Sequence, residues 1–304
     1  VAVHDSHAFV AVQGDGLWIL DVANPASPQL TGRYATLADV QDMAFAGSLG
    51  CLALGAEGIE LVDFANPAAP EYIGGIATGG FARGVALSNR QAYVADGSAG
   101  LVVLDVSDPS EPLWQGAYDT AGFASGVAVA GNYAYVADDS AGLQIIDVSD
   151  PANPARVAGL DTEGFAVSVS VAGDVVSVAD GAAGLALINV SDPASPERIG
   201  GSSGYTIHGV TPFGNLVLAA AGADGLLIFE LVASTATLKP LEYSSAGFRF
   251  TVSGKPGQSA RVQRSDDLAH WSDWQTVTLT DTPTEISDSS VNDSANTFYR
   301  AIGL

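Results

Sequence analysis

The stretch "AGLQIIDVSDPANP", residues 141–154, is one of five closely similar phrases in the chain, and a sixth copy begins in the same way. Each copy carries a glycine followed by an aliphatic residue, and these pairs recur at intervals of 42, 42, 42, 42 and 41 residues. The pairs are Gly16-Leu17, Gly58-Ile59, Gly100-Leu101, Gly142-Leu143, Gly184-Leu185 and Gly225-Leu226. A fixed period of this length predicts a structural unit that buries its apolar face only by stacking on copies of itself.

Each repeat unit has the pattern of four short β-strands. In the fourth unit, runs of Val, Ile, Tyr and Ala are separated by Gly131-Asn132, by residues 138–142 and by the Asp-Pro segment 150–154. Short β-branched and aromatic runs between turn residues are typical of strands, and the units lack the apolar periodicity of helices. Four-stranded units repeated radially form a β-propeller. The sequence therefore predicts an all-β chain with a six-bladed β-propeller over residues 1–235.

Three copies of the phrase also carry a family resemblance. The segments "GLVVLDVSDPSEP" (100–112), "GLQIIDVSDPANP" (142–154) and "GLALINVSDPASP" (184–196) resemble the LVIVD repeat of bacterial and archaeal cell-surface proteins. The resemblance extends over about residues 1–233. It implies the propeller fold and a secreted, periplasmic or cell-surface location, and it brings no catalytic residues with it.

The sixth unit ends early. After "GLLIFELVAS" (225–234) the Asp-Pro turn and the fourth strand do not recur, and Val1 aligns with Val127 inside the first strand of a unit. Because propellers commonly build one blade from both chain ends, we expect residues upstream of Val1 in the full-length protein to complete the sixth blade. The alternatives are a three-stranded sixth blade and a strand borrowed from residues 236–243.

A second domain is predicted over residues 236–304, where the composition changes. Both lysines and two of the four tryptophans lie in this segment. The stretches "VQRSDDLAHWSDW" (262–274) and "TFYRAIGL" (297–304) resemble a small immunoglobulin-like or fibronectin-like β-sandwich at the C-terminus of secreted bacterial proteins. That resemblance implies a role in spacing, anchoring or export.

The net charge of −23 restricts the class of partner. An excess of carboxylates disfavours binding to nucleic acid or to an anionic membrane, and the sequence has no apolar run long enough to insert into a bilayer. The carboxylates keep the protein soluble in one interpretation and bind calcium in another, with Asp138 and Asp139 as weak candidates for the metal. The single cysteine, Cys51, occupies a repeat position held elsewhere by Phe or Tyr, which predicts a core residue.

Acidic or amide residues recur at two turn positions around the whole ring. They end the third strand at Asp21, Asp63, Asp105, Asp147, Asn189 and Glu230, and precede prolines at Asn24, Asn66, Asp108, Asp150 and Asp192. Because a position shared by the units is usually architectural, we expect these side chains to accept backbone N–H hydrogen bonds in turns.

Candidate ligand-binding residues are sought where one arc of the ring departs from the rest. The second strand ends in aspartate in three units, and the loops between blades carry a repeated aromatic residue. On this basis the candidates are Asp96, Asp138, Asp180, Phe81, Phe123, Phe165, Tyr205, Arg83, His208, Asp119 and Asp161. Loops of these two kinds share one face of a propeller, so the residues would surround one mouth of its channel. The competing interpretation is structural, with aromatic wedges between blades and aspartates that cap turns.

We therefore expect a secreted or surface-exposed interaction module that presents one propeller face to a glycan, a peptide or a protein. The first alternative is a carbohydrate-active hydrolase or lyase that uses the channel-mouth carboxylates, with or without calcium. A raised pKa on one of these carboxylates would support it. The second alternative is a structural scaffold in a surface assembly. Nucleophilic catalysis has little support, because the chain has four histidines and lacks the G-x-S-x-G motif.

Overall fold

The described strands of the chain form antiparallel β-sheets. The chain divides into two units, Val1–Phe229 and Glu230–Leu304. The computed structural model describes residues 1–214, 216–230, 237–244, 247–253, 259–265, 272–280, 282, 284–288 and 298–303. Within these residues the single helical element is a short 3-10 turn, Gly222–Asp224. None of the helical structure in the described residues is long and apolar enough to cross a membrane.

The first unit is the predicted six-bladed propeller. Blade 1 contains β1 (Ala2–His4), β2 (His7–Val12), β3 (Gly16–Asp21) and β4 (Gln29–Tyr34). Blade 2 contains β5 (Asp42–Ala46), β6 (Leu49–Ala53), β7 (Ile59–Asp63) and β8 (Glu71–Ile76). Blade 3 contains β9 (Gly84–Ser88), β10 (Gln91–Ala95), β11 (Leu101–Asp105) and β12 (Leu113–Tyr118).

The remaining three blades follow the same order. Blade 4 contains β13 (Gly126–Ala130), β14 (Tyr133–Ala137), β15 (Leu143–Asp147) and β16 (Ala155–Leu160). Blade 5 contains β17 (Ser168–Ala172), β18 (Val175–Ala179), β19 (Leu185–Asn189) and β20 (Glu197–Ser202). Blade 6 contains β21 (Gly209–Phe213), β22 (Leu216–Ala220) and β23 (Leu226–Glu230) among the described residues.

Strands within a blade pair in sequence order, and the first strands of neighbouring blades pack together around the axis. The register between the third and fourth strands shifts once in each of blades 1 to 5, for example between Val103 and Leu104. This irregularity bends the outermost strand, as a bulge does. The predicted four-stranded blade is confirmed in these five units.

Apolar side chains of the third strand hold neighbouring blades together. Ile59 and Leu61 of blade 2 belong to one buried cluster with Val102 and Leu104 of blade 3. The same arrangement recurs between blades 3 and 4 and between blades 4 and 5. Each fully buried aliphatic side chain of this kind contributes about 1.5–3 kcal/mol to stability. Cys51 lies in the same core with no exposed surface, which confirms its predicted packing role.

The glycine that opens the repeated phrase is required by the backbone. Gly142 has a φ of 70°, and a Cβ added there would collide with the carbonyl oxygen of Leu160 in the fourth strand. The equivalent glycines of the other four-stranded blades have the same surroundings, because a Cβ added there would collide with a backbone carbonyl oxygen of the fourth strand. The pairs are Gly16 and Tyr34, Gly58 and Ile76, Gly100 and Tyr118, and Gly184 and Ser202. The repeated glycine therefore marks a position where the fourth strand passes too close to the third for a side chain to fit.

The recurrent turn residues act as predicted. Asp105 Oδ1 accepts a hydrogen bond from the backbone N–H of Ser107 at 2.8 Å, and Asp108 Oδ1 accepts one from Ser110 at 3.0 Å. The corresponding bonds form at the other described positions, Asp21, Asp63, Asp147, Asn189, Asn24, Asn66, Asp150 and Asp192. The side chain of Glu230 lies outside the described residues.

The second unit forms two three-stranded sheets. Its strands are β24 (Thr237–Ser244), β25 (Gly247–Ser253), β26 (Ser259–Ser265), β27 (Ser272–Thr278), β28 (Thr284–Asp288) and β29 (Phe298–Gly303). β24 pairs with β25 at the edge of the sheet β24-β25-β28. A fourth strand of blade 6 borrowed from residues 236–243 stays a prediction. Residues 266–271, 297 and 304 of the two quoted stretches lie outside the described residues. The immunoglobulin-like assignment stays a prediction, as does completion of blade 6 by an upstream strand.

Candidate functional site

Two sets of loops meet at one end of the propeller. The loop between the second and third strands of one blade pairs with the segment that leads into the first strand of the next. The bridging pairs are Gly55–Ala82, Gly97–Ala124, Asp139–Ala166 and Gly181–Ile207. In the first of these, the N–H of Ala82 donates to the carbonyl oxygen of Gly55 at 2.9 Å. The prediction that the two kinds of loop share one face is confirmed.

A cavity of about 900 Å³ lies between the innermost strands near this end. Two predicted site residues, Arg83 and His208, line it from blades 3 and 6, and both side chains are exposed. Asp42 and Asp139 also line it. The cavity wall therefore offers a guanidinium, an imidazole and two carboxylates to a polar ligand.

The four predicted aromatic residues lie in the connections that lead into blades 3 to 6, and none of them is among the residues that line the cavity. The exposed fractions of Phe81, Phe165 and Tyr205 are 42%, 58% and 38%, and Phe123 is half-buried. The rings of Phe81 and Phe123 lie close against Gly55 and Gly97, so these two also pack between blades as the structural interpretation expects. The Arg83 guanidinium lies 5.4 Å from the centroid of the Phe123 ring, which holds the cation beside an aromatic face.

Asp139 lines the cavity, although the sequence pattern indicated it only as a weak metal candidate. It occupies the position held by Gly55, Gly97 and Gly181, and it keeps the left-handed backbone with a φ of 51°. A non-glycine residue is uncommon in this conformation, although aspartate tolerates it better than most. The signal was present in the sequence as one aspartate in a column of glycines.

The aspartates that end the second strands are covered by the chain. Asp138 has no exposed surface, and its Oδ1 accepts a hydrogen bond from the Thr120 hydroxyl at 2.6 Å. Its Oδ2 accepts one from the N–H of Gly122 at 3.0 Å. Asp96 and Asp180 are 0% and 1% exposed and bind Thr78 and Thr162 at the same distance. Each carboxylate thus binds the segment that connects the preceding blade to its own blade.

Burial raises the pKa of Asp96, Asp138 and Asp180 above the ordinary carboxyl value. A raised pKa was the feature expected of a catalytic carboxylate. Here it arises from desolvation inside the protein, and the carboxylates face their own chain and have almost no exposed surface. Buried carboxylates with a purely structural role also have perturbed pKa values. The raised pKa alone therefore does not favour the enzyme alternative.

We expect the effect of Asp96→Asn on stability to depend on pH. Burial raises the pKa of Asp96 above its unfolded value near 3.8, so in the window above 3.8 the folded protein retains a proton that the unfolded chain releases. Wild-type stability then falls as the pH rises through that window, by up to about 1.4 kcal/mol per pH unit, and the amide lacks this dependence.

Urea denaturation of both proteins measures the difference. The asparagine variant should lose more stability relative to the wild type near pH 4 than near pH 7. An equal loss at both pH values would mean that folding does not change the ionisation of Asp96.

Asp119 and Asp161 lie apart from the cavity. Both are exposed, and they directly precede Thr120 and Thr162 at the ends of the outermost strands of blades 3 and 4. In the part of the chain that the structure describes, no group of three or more His, Cys, Asp or Glu side chains is placed to hold a metal ion. Asp138 and Asp139 accordingly belong to no three-ligand cluster there.

A model of the LVIVD repeat matches residues 1–36, 79–120, 121–162 and 163–201, which together make up just over half of the chain. These segments correspond to blades 1, 3, 4 and 5. No curated protein matches the chain significantly. Among solved structures, the crystal structure of the computationally designed Ika8 protein is similar with a TM-score of 0.59 and 7% identity, over 93% of this chain and 87% of that one. At this identity the likeness shows the fold alone.

Proposed function

The chain belongs to the LVIVD repeat family, and from this premise we propose that its propeller is a binding module that takes a ligand at the channel mouth defined above. The ligand class is a glycan or a peptide without net negative charge, because a protein of net charge −23 repels anions. We place the module outside the cytoplasm, at the cell surface, in the periplasm or in the medium.

The observation that carries this proposal is that exposed aromatic residues occur in the connections between blades at the same end of the propeller as a polar cavity. Phe165 and Tyr205 are 58% and 38% exposed, although large aromatic side chains usually bury most of their surface. Arg83, Asp139 and His208 line the cavity and supply hydrogen-bond donors and acceptors, and the Arg83 guanidinium lies beside the Phe123 ring. Ligand sites commonly combine apolar stacking surfaces with a few polar groups that fix orientation.

Exposed apolar residues on the outer strands favour a second candidate function, that of a scaffold. Tyr72, Leu113 and Trp114 are 62%, 62% and 49% exposed on β8 and β12. Outermost strands are sheet edges that can pair with another protein. Such contacts would occupy the rim of the propeller and leave the mouth free, so the two functions are separable by mutation.

We expect Phe165→Ala and Arg83→Ala each to weaken binding of the ligand by about tenfold, since truncating an aromatic or arginine anchor commonly removes more than 1 kcal/mol. The probes are a panel of neutral oligosaccharides and basic peptides, screened by thermal shift and titrated by calorimetry. Phe213→Ala is the matched control, because Phe213 is 69% exposed but lies at the β21–β22 turn, at the other end of the blade.

Either of two results would contradict the proposal. One is the absence of any saturable ligand in the panel. The other is a ligand whose affinity falls as much in Phe213→Ala as in the mouth variants. Loss of self-assembly in Trp114→Ser, with no ligand at the mouth, would support the scaffold.

A further inference from the structure

Arginines of the fourth strand lie over the same position of the third strand in blades 1 and 4. In blade 1, the Arg33 guanidinium lies 4.2 Å from the centroid of the Trp18 ring and 3.5 Å from a carboxylate oxygen of Asp15. In blade 4, Arg156 Nε donates a hydrogen bond to Gln144 Oε1 at 2.8 Å. Trp18 and Gln144 hold the same register position on their strands, so both blades place a guanidinium at one site of the repeat.

Blade 5 also pairs an arginine of its fourth strand with the chain. Arg198 has the register position on β20 that Arg156 has on β16. Its guanidinium lies 3.2 Å from a carboxylate oxygen of Glu163, which belongs to the connection from blade 4. Three blades thus bind a guanidinium of their own on this side of the sheet.

Blade 2 has the acidic partners for a guanidinium but lacks the arginine. Glu60 has the register position of Trp18, and Glu57 lies one repeat period after Asp15. In the part of the chain that the structure describes, neither glutamate forms an ion pair. The residues at the two arginine positions of this blade are Gly75 and Tyr72.

A cavity of about 210 Å³ lies at this site of blade 2. Both glutamates line it, together with Tyr72 and Gly75. Glu60 is 7% exposed, and its Oε1 accepts a hydrogen bond from the Tyr34 hydroxyl of blade 1. Its Oε2 accepts no hydrogen bond from the described residues. A largely buried carboxylate therefore reaches the cavity with one oxygen still available to a donor.

We propose that this cavity binds the guanidinium group of an arginine from a partner polypeptide, with Glu60 and Glu57 as acceptors and the Tyr72 ring beside it. A planar guanidinium donates paired hydrogen bonds to carboxylates and stacks on aromatic rings. The arginines of blades 1, 4 and 5 show this chemistry at the equivalent places. The cavity shares no lining residue with the cavity at the channel mouth, so the proposal goes beyond the proposed function.

The rim of the cavity favours an arginine carried by a polypeptide over a small free cation. Leu37 and Tyr72, which both line the cavity, are 88% and 62% exposed. Exposed apolar surface beside a polar pocket is typical of protein interfaces, where arginine is a frequent anchor. The net charge of −23 attracts a basic partner and opposes pairing with a second copy of this chain.

The test is a calorimetric titration of the full chain with the end-capped peptide ALRLA. The matched probes are the peptide ALKLA and methylguanidinium. We expect saturable binding of the arginine peptide, and affinities at least about tenfold lower for the other two probes. Lysine offers a point charge without the planar donor fork, and methylguanidinium makes no contact with the apolar rim.

Variants of blade 2 locate the binding site. Glu60→Gln should weaken binding of the arginine peptide by about tenfold or more, and glutamine fits this register position because Gln144 holds it in blade 4. Glu71→Gln is the matched control, since it removes a carboxylate of β8 that does not line the cavity. Tyr72→Arg puts an arginine at the position of Arg156, so it should fill the cavity from within and abolish binding.

Several outcomes would overturn the proposal. The arginine peptide fails to bind, or the lysine peptide or methylguanidinium binds as tightly. Glu60→Gln or Tyr72→Arg binds the peptide with wild-type affinity. Loss of binding in Phe165→Ala would mean that the peptide binds at the channel mouth. A wild-type dimer that dissociates in Glu60→Gln would mean that a second copy supplies the arginine.

Discussion

Gly142→Ala should lower the free energy of unfolding of the propeller by about 3 kcal/mol or more, whereas Gly225→Ala should lower it by about 1 kcal/mol. Both glycines have a left-handed backbone, with φ of 70° and 77°, so both substitutions carry the conformational penalty of a side chain in that region. They differ in surroundings. The new Cβ collides with the Leu160 carbonyl oxygen at one position and meets no atom within 4 Å at the other.

Urea denaturation of the two variants, followed by tryptophan fluorescence, measures the difference between them. The collision involves backbone on both sides, so relief requires the fourth strand of blade 4 to move away from the third. That movement would disturb the hydrogen bonds between β15 and β16. Equal destabilisation in the two variants would show that the φ angle alone accounts for the repeated glycine, and that the close passage of the fourth strand adds nothing.

The repeat could be predicted from the sequence because its strongest signals are backbone requirements. A glycine at the same position of each unit follows from the left-handed φ and the crossing strand. An aspartate or asparagine at the end of the third strand follows from the turn that it caps. Such constraints act within one blade or between adjacent strands, so they leave the same residue in each copy.

The role of the three buried aspartates could not be read from the sequence. Asp96, Asp138 and Asp180 end their strands on the face that carries the loops, which is where a ligand-binding carboxylate would also lie. Their carboxylates accept hydrogen bonds from the hydroxyl groups of threonines that lie 18 residues earlier, in the connections between blades. These threonines are Thr78, Thr120 and Thr162. Only the packed structure brings the hydroxyl within 2.6 Å and removes the carboxylate from water.

The departure of blade 6 from the repeat was predicted from the sequence, and among the described residues its sheet has three strands. The missing Asp-Pro turn after residue 230 indicated a departure from the repeat, and a three-stranded blade was one of the alternatives. The spacing of the glycines predicts the number of blades, but it does not predict the number of strands in each blade. The exposure of Leu226 and Ile228 becomes evident only when they are compared with Leu143 and Ile145 in the folded protein.

Asp138→Ala should be the second strongly destabilising change, with a loss of about 2–4 kcal/mol. The substitution leaves two buried donors without an acceptor, the Thr120 hydroxyl and the N–H of Gly122, and each unsatisfied buried donor costs about 1–3 kcal/mol. Removal of a desolvated carboxylate offsets part of this loss at neutral pH, because burial raises the pKa of Asp138. Asp105→Ala, which removes one exposed turn hydrogen bond, should cost no more than about 1 kcal/mol.

A double-mutant cycle with Thr120→Val separates the hydrogen bond from the cavity that the alanine leaves. Thr120→Val removes the hydroxyl donor. In that background, Asp138→Ala leaves only the N–H of Gly122 without an acceptor. The double variant should therefore be more stable than the sum of the single changes predicts, with a coupling of about 1 kcal/mol or more. Additive losses would mean that the 2.6 Å contact contributes nothing of its own, and that Asp138 stabilises the connection between blades 3 and 4 by packing and by its bond to Gly122.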